Sequence, residues 1–353
     1  MACLLLFAIY GALSSFNDPR GTLGTDTGGK FATLHVMDQR GTLDPDIGYW
    51  AERSDPKGVL HPLYYTFRAG GKWVNVTTLP MLYAAYPLYH VLGERGALLL
   101  PMFGSVLAAL AARALALRLG ARTGWTAFWT IGLASPLVIY ALDFWEHSFG
   151  VAAMLWGVVF MLDVAEDRAG WRGALAAGAL FGAAATMRTE ALVYLAVAAA
   201  LTCATVDMRK RSILTAVTRG VAIVAGAGAV LVANELLERL TVGATLRASR
   251  ATSTAAAVGT SVATRVREAF TTTVGLNVFE PNFDFFVGAT FVAVVAYGTW
   301  KLAHRSELTR TMAVTAFTVA LLIIGLRVTS GLGFVPGLLT ASPLAAAGAA
   351  LGW

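Results

Sequence analysis

Charge is scarce in this chain. Of its 353 residues, only 14% are Asp, Glu, Lys or Arg, where a soluble domain carries roughly 25%. Cysteine is rarer still. Cys3 and Cys203 lie far apart in apolar runs, which excludes a disulfide framework, a CxxC motif and a zinc site of the usual spacing. The opening run MACLLLFAIYGALSSF has no basic residue ahead of its apolar stretch and so does not read as a cleavable signal peptide. No internal repeat and no second soluble domain is visible.

What fills the chain instead is apolar sequence. Hydrophobic residues make up 57%, the mean hydropathy is +0.64, and several runs reach the ~20 residues needed to cross a hydrocarbon core. The composition predicts an all-α polytopic membrane protein of about 10 transmembrane helices. The expected spans are 1–16, 96–118, 125–142, 148–164, 172–187, 190–206, 214–238, 285–300, 311–327 and 331–351. The apolar runs at both ends suggest a chain truncated at each terminus. The net charge of +6 and pI near 9.5 would suggest nucleic acid in a soluble protein. Here the basic residues fall in short loops, where they set orientation, so no nucleic-acid partner is expected.

One set of loops holds Arg118, Arg122, Arg168, Arg172, Arg209, Lys210, Arg211, Lys301, Arg305 and Arg310. The positive-inside rule makes that set cytoplasmic and turns the loop after the first span outward. That loop, 17–95, is too long to be a connector. Within it, GGKFATLHVMDQRG spaces Phe31, Leu34 and Met37 as a short helix does. LYYTFRAGGKWVNV flanks Gly70-Gly71 with aromatic-rich runs and predicts a hairpin. LPMLYAAYPLYHVLG, broken by Pro80 and Pro87, is expected at the membrane interface. A second outward loop, 239–284, is rich in Ala, Thr and Ser.

Three polar clusters stand at segment ends on that outward side: Asp26 with Lys30; Asp143, Glu146 and His147; and Arg188 with Glu190. Ionisable residues gathered so close to the bilayer are costly unless something uses them. Asp26 suits a general base, since partial burial raises a carboxylate toward working pH; it also suits an N-cap. Gly28 and Gly29 beside it would let a substrate come close to the backbone. Lys30 either pairs with Asp26 at i,i+4 or binds a phosphate as a point charge. Asp143, Glu146 and His147 would share one helical face, which suits a divalent cation or an acceptor hydroxyl; alternatively they mark a helix end anchored by Trp145. Arg188 either pairs with Glu190 or grips a phosphate with its planar fork. His61 and Lys57 lie on the same side, and Asp44 and Asp46 flank a proline as turn residues do. Asn75-Val76-Thr77 fits a glycosylation sequon, a short pattern that carries little weight.

The segments TDTGGKFATLHVM, GGKWVNVTTLPMLYAAYPLYHVLG, LVIYALDFWEHSFGVAAMLW and GALFGAAATMRTEALVYLA, over roughly residues 1–210, resemble the GT-C class of integral-membrane glycosyltransferases of bacteria. The resemblance implies a single transmembrane domain over 1–353 that acts at the outer face of the cell membrane. It implies an inverting transfer of a sugar from a polyprenyl-phosphate donor to a glycan or lipid acceptor of the cell envelope, among membrane lipids. Asp26 would then be the base, Asp143, Glu146 and His147 a second wall of the site, and Arg188 with Lys30 the holders of the donor phosphate. His61 and Glu190 complete the expected binding residues. No cofactor is called for, and a divalent cation stays open; Asp26 lacks the adjacent acid that some members carry. The competing reading from another class is a multi-pass transporter or lipid-linked-glycan flippase, which would place ionisable residues nearer the midplane and often show an inverted repeat.

Overall fold

The structure is a computed structural model that describes residues 1–19, 26–61, 63, 66–75, 78–118, 120–135, 137–188, 191–210 and 212–246. The expected spans at 285–300, 311–327 and 331–351, and most of the 239–284 loop, lie outside the described residues. Within them the chain is mostly helical. Its order is α1 (Ala2–Ser14), α2 (Asp26–Arg40), β1 (Thr66–Ala69), β2 (Lys72–Asn75), α3 (Leu79–Arg118), α4 (Trp125–Leu133), α5 (Leu137–Ala141), α6 (His147–Ala165), α7 (Trp171–Met187), α8 (Ala191–Lys210) and α9 (Ile213–Val242).

Among the described residues, α3, α6 and α9 are long and apolar enough to cross a membrane. Helix α1, with 13 residues, and α7, with 17, are shorter. Helix α3 runs through the stretch expected at the interface and into the second span, breaking at Gly93, whose φ of 64° and ψ of −152° are open to glycine. The third expected span is not one helix. It divides into α4, which ends at Leu133, and α5, which begins at Leu137; between them the sequence reads Ala-Ser-Pro, and a proline disfavours helical geometry in the residue before it.

Two apolar cores hold the bundle. One gathers Leu6 and Tyr10 of α1, Phe31 and Leu34 of α2, and the inner faces of α3 to α6. The Tyr10 hydroxyl donates to the Gly132 carbonyl at 2.6 Å, and the Trp156 ring N–H donates to the Leu107 carbonyl at 3.1 Å, tying α6 to α3. The second core lies among α6, α7, α8 and α9. Small residues let α7 and α9 meet backbone to backbone: a Cβ on Gly178 would lie 1.9 Å from the Ile223 carbonyl oxygen, and one on Gly226 2.1 Å from that of Leu175. Apolar helices without a hydrophobic drive between them associate through such contacts. Only 22% of the apolar stretch of α9 is buried, against 61% and 67% for α3 and α6, so α9 is the least enclosed of these three among the described residues. Its Val217, Val221, Val224, Val232 and Leu236 are exposed.

The hairpin and α2 form where the sequence places them. Strand β1 pairs antiparallel with β2 in the register Thr66↔Asn75 to Ala69↔Lys72. Gly70 and Gly71 turn with φ of 56° and 82°, the doubly left-handed geometry of a type I′ turn. The hairpin rests on the end of α9: the Lys72 ammonium donates to the Thr241 carbonyl at 2.7 Å, and a Cβ on Gly70 would lie 1.8 Å from the Val242 carbonyl oxygen. Gly71 has open space around it. Gly70→Ala therefore carries both backbone strain and a clash, about 2–3 kcal/mol together, while Gly71→Ala carries only strain, about 1–2 kcal/mol. Thermal unfolding of the two variants in detergent should show the larger drop for Gly70→Ala.

Candidate functional site

Helix α2 starts at Asp26, whose carboxylate is favoured there by the positive end of the helix dipole. One turn on, Lys30 is fully buried, an uncommon place for an ammonium group. Each of its three N–H bonds has an acceptor: Asp26 Oδ2 at 2.9 Å, Glu146 Oε2 at 2.5 Å and the Phe144 carbonyl at 3.3 Å. An ammonium has three donors and no more, so in this structure Lys30 is committed to the protein and offers none to a phosphate.

The partner segment is the turn between α5 and α6. The expectation of a helical face shared by Asp143, Glu146 and His147 does not hold, because α5 ends at Ala141 and α6 begins at His147. The chain turns sharply instead, with the Trp145 N–H donating to the Asp143 carbonyl at 2.8 Å. Asp143 Oδ1 accepts from the Phe144 N–H at 2.8 Å and from the Thr27 hydroxyl at 2.6 Å. Glu146 stands at the N-cap of α6 but makes no side-chain cap, since its carboxylate reaches Lys30. Phe31 stacks on Phe144, ring centroids 5.3 Å apart. Residues 26, 27, 30 and 31 thus lock onto residues 143, 144 and 146. Among the described residues, no group of three His, Cys, Asp or Glu side chains is placed to hold a metal ion.

His147 is buried and packs its ring against Tyr140 at 4.5 Å and Trp145 at 4.9 Å. Its Nδ1, the Trp145 ring N–H and the Ser148 hydroxyl are buried without a hydrogen-bond partner among the described residues. Arg188, at the extended C-cap of α7, crosses the first turn of α6, where a Cβ on Gly150 would lie 3.2 Å from Arg188 Cγ. Its positive charge acts on Glu146 and His147.

Asp26, Lys30, Asp143, Glu146, His147 and Arg188 therefore gather at one end of the helices. The described part of the basic set lies at the other. Arg118, at the end of α3, pairs with Asp163 at 2.7 Å, and Arg168 joins the same carboxylate at 2.9 Å. Helix α6, of 19 residues, separates the two ends by about 28 Å at 1.5 Å per residue. His61 is placed elsewhere, tilted against Tyr49 at 4.8 Å and stacked on Trp73 at 5.5 Å. Glu190 lies outside the described residues, as does Thr189. The space over Gly29 is taken by the Asn75 amide, 2.1 Å from where a Cβ would stand, so the strand end approaches there rather than a substrate. Asn75 itself is buried, and Asp44 and Asp46 brace turns and Lys72.

Thr27, Phe144 and the buried Asn234–Glu238 pair of α9 escaped the sequence reading. The pair had a signal in its i,i+4 spacing on an apolar helix: the Asn234 amide donates to Glu238 at 2.9 Å, and Glu238 also receives the Leu246 N–H at 2.8 Å. No family model matches the chain, nor does any curated protein or solved structure.

Burial alone would push the Glu146 carboxyl up, but the Lys30 ammonium, with Arg188, outweighs it and holds Glu146 well below the usual carboxylate range. Burial alone would lower Lys30, and the carboxylates of Glu146 and Asp26 outweigh that, raising it. A depressed carboxylate contributes stability above its unfolded value of about 4.3 and loses that contribution as pH falls below it. The melting temperature in detergent should stay flat from pH 8 to about 5 and then drop, and Glu146→Gln should shrink the acid drop. Lys30→Met leaves two carboxylates without their cation and should destabilise the fold by about 3–5 kcal/mol, read by the same melts.

Proposed function

We propose that the chain is a membrane glycosyltransferase of the GT-C kind, using a polyprenyl-phosphate sugar donor at the extracytoplasmic face of a bacterial cell membrane. The observation that carries the reading is the convergence of Asp26, Glu146 and Arg188 at the end of the bundle opposite the basic loops. A donor that is half lipid presents its anomeric carbon at the membrane surface. Its chemistry needs a carboxylate base and a cation at that height. Transporters place such groups nearer the midplane, and the cluster stands at a helix end.

In this reading Asp26 takes the proton from the acceptor hydroxyl as its oxygen bonds to the anomeric carbon. The bond from that carbon to the phosphate oxygen breaks, and its electron pair leaves with the polyprenyl phosphate. Of the two carboxylates on Lys30, Asp26 is the one a substrate can reach: its side chain is 26% exposed, against 10% for Glu146. Arg188 balances the leaving phosphate, while Glu146 stays in the wall.

Transfer of labelled sugar from polyprenyl-phosphate donors in proteoliposomes tests this. Asp26→Asn should lower kcat by about 10²–10⁴-fold with the fold retained, and Arg188→Ala should chiefly weaken use of the donor. Full activity of Asp26→Asn would remove the base from the scheme.

A further inference from the structure

We infer that Lys30 is a positioning residue that keeps Asp26 and Glu146 both ionised and aimed at one point, so that Asp26 is a ready proton acceptor at neutral pH; the acceptor role rests on the glycosyltransferase reading, while the shared charge state does not. Two carboxylates that meet on one ammonium lie close enough to repel each other once the cation is gone, and one of them then takes up a proton, since like charges this near cannot both stay ionised in a buried site. Lys30 is fully enclosed, so water cannot screen the pair in its place.

The charged and titratable groups around the pair come from every packed element. Helix α2 supplies Asp26 and Lys30. The turn before α6 supplies Asp143, which is held by Thr27 and the Phe144 N–H, and Glu146. Helix α6 supplies His147, and the end of α7 supplies Arg188, whose charge reaches Glu146. The titratable groups where α3 meets α2 lie farther along it: Asp38 meets His90 at 2.6 Å, and His35 meets Tyr89 at 3.4 Å. Lys30 hydrogen-bonds both carboxylates. Its third bond, to the Phe144 carbonyl, fixes the ammonium between them. A residue that merely filled the space would keep the packing and lose the charge state.

Infrared titration of the full chain in nanodiscs, without substrate, reads that charge state through the carboxylic-acid carbonyl band. Wild type and Lys30→Arg should show no cluster-derived band at pH 7. Lys30→Met should show one proton taken up, with a midpoint at least about 2 pH units above wild type, and the band should vanish when Asp26→Asn or Glu146→Gln is added. A midpoint within half a unit of wild type would overturn the inference. Should Lys30→Met fail to fold, adding Asp26→Asn removes the repulsion and should restore folding; a double variant that stays unfolded also overturns it. In the sugar-transfer assay, the acid limb of kcat in Lys30→Met should move up by the same interval with KM little changed. A wild type that transfers no sugar would sink the functional reading and leave the titration result standing.

Discussion

The Lys30 ammonium is the contact on which the site end of this protein depends. It is buried, carries a full charge and spends all three of its donors on groups that lie far apart in the chain. A charge in that position is tolerable only when its partners are in place. The α2 segment and the turn before α6 are therefore coupled: neither can move away without exposing the other to an unpaired charge. The Thr27–Asp143 hydrogen bond and the Phe31–Phe144 stack extend the contact on both sides. A helix in a long loop outside the bundle is in this way made part of its end.

That constraint shapes the chemistry as well as the fold. Glu146 occupies the N-cap of an apolar helix yet leaves the cap unmade, because the ammonium is the stronger partner for a buried carboxylate. Asp26 meets the same ammonium from the helix side and remains partly exposed. One carboxylate becomes wall and the other faces outward. The difference follows from burial rather than from residue type, and it underlies the separate roles proposed for the two groups.

Much of the described fold was legible in short-range patterns. Gly70-Gly71 between aromatic-rich runs marked the hairpin, and Phe31, Leu34 and Met37 marked the buried face of α2, because turn chemistry and helical periodicity are local. The grouping of the polar clusters at one end was legible through the basic loops, whose Arg118 and Arg168 meet Asp163 at the other end. The break of the third span has a signal in the sequence at Pro136, but mean apolarity hides a proline. The function of Lys30 was not legible: its i,i+4 pairing with Asp26 could be read, but Glu146 stands 116 positions away and only tertiary packing chooses it. The same holds for the 143–147 segment, where helical spacing suggested a shared face and the Lys30 contact drew the chain into a turn.

The most direct test of the account is a double-mutant cycle between Lys30 and Glu146, with unfolding free energies measured for wild type, Lys30→Met, Glu146→Gln and the double variant. If the ammonium joins the two segments, the single losses are far from additive, with a coupling of about 2 kcal/mol or more, as found for groups in one buried network. Losses that add to within about 0.5 kcal/mol, the range of independent sites, would contradict it.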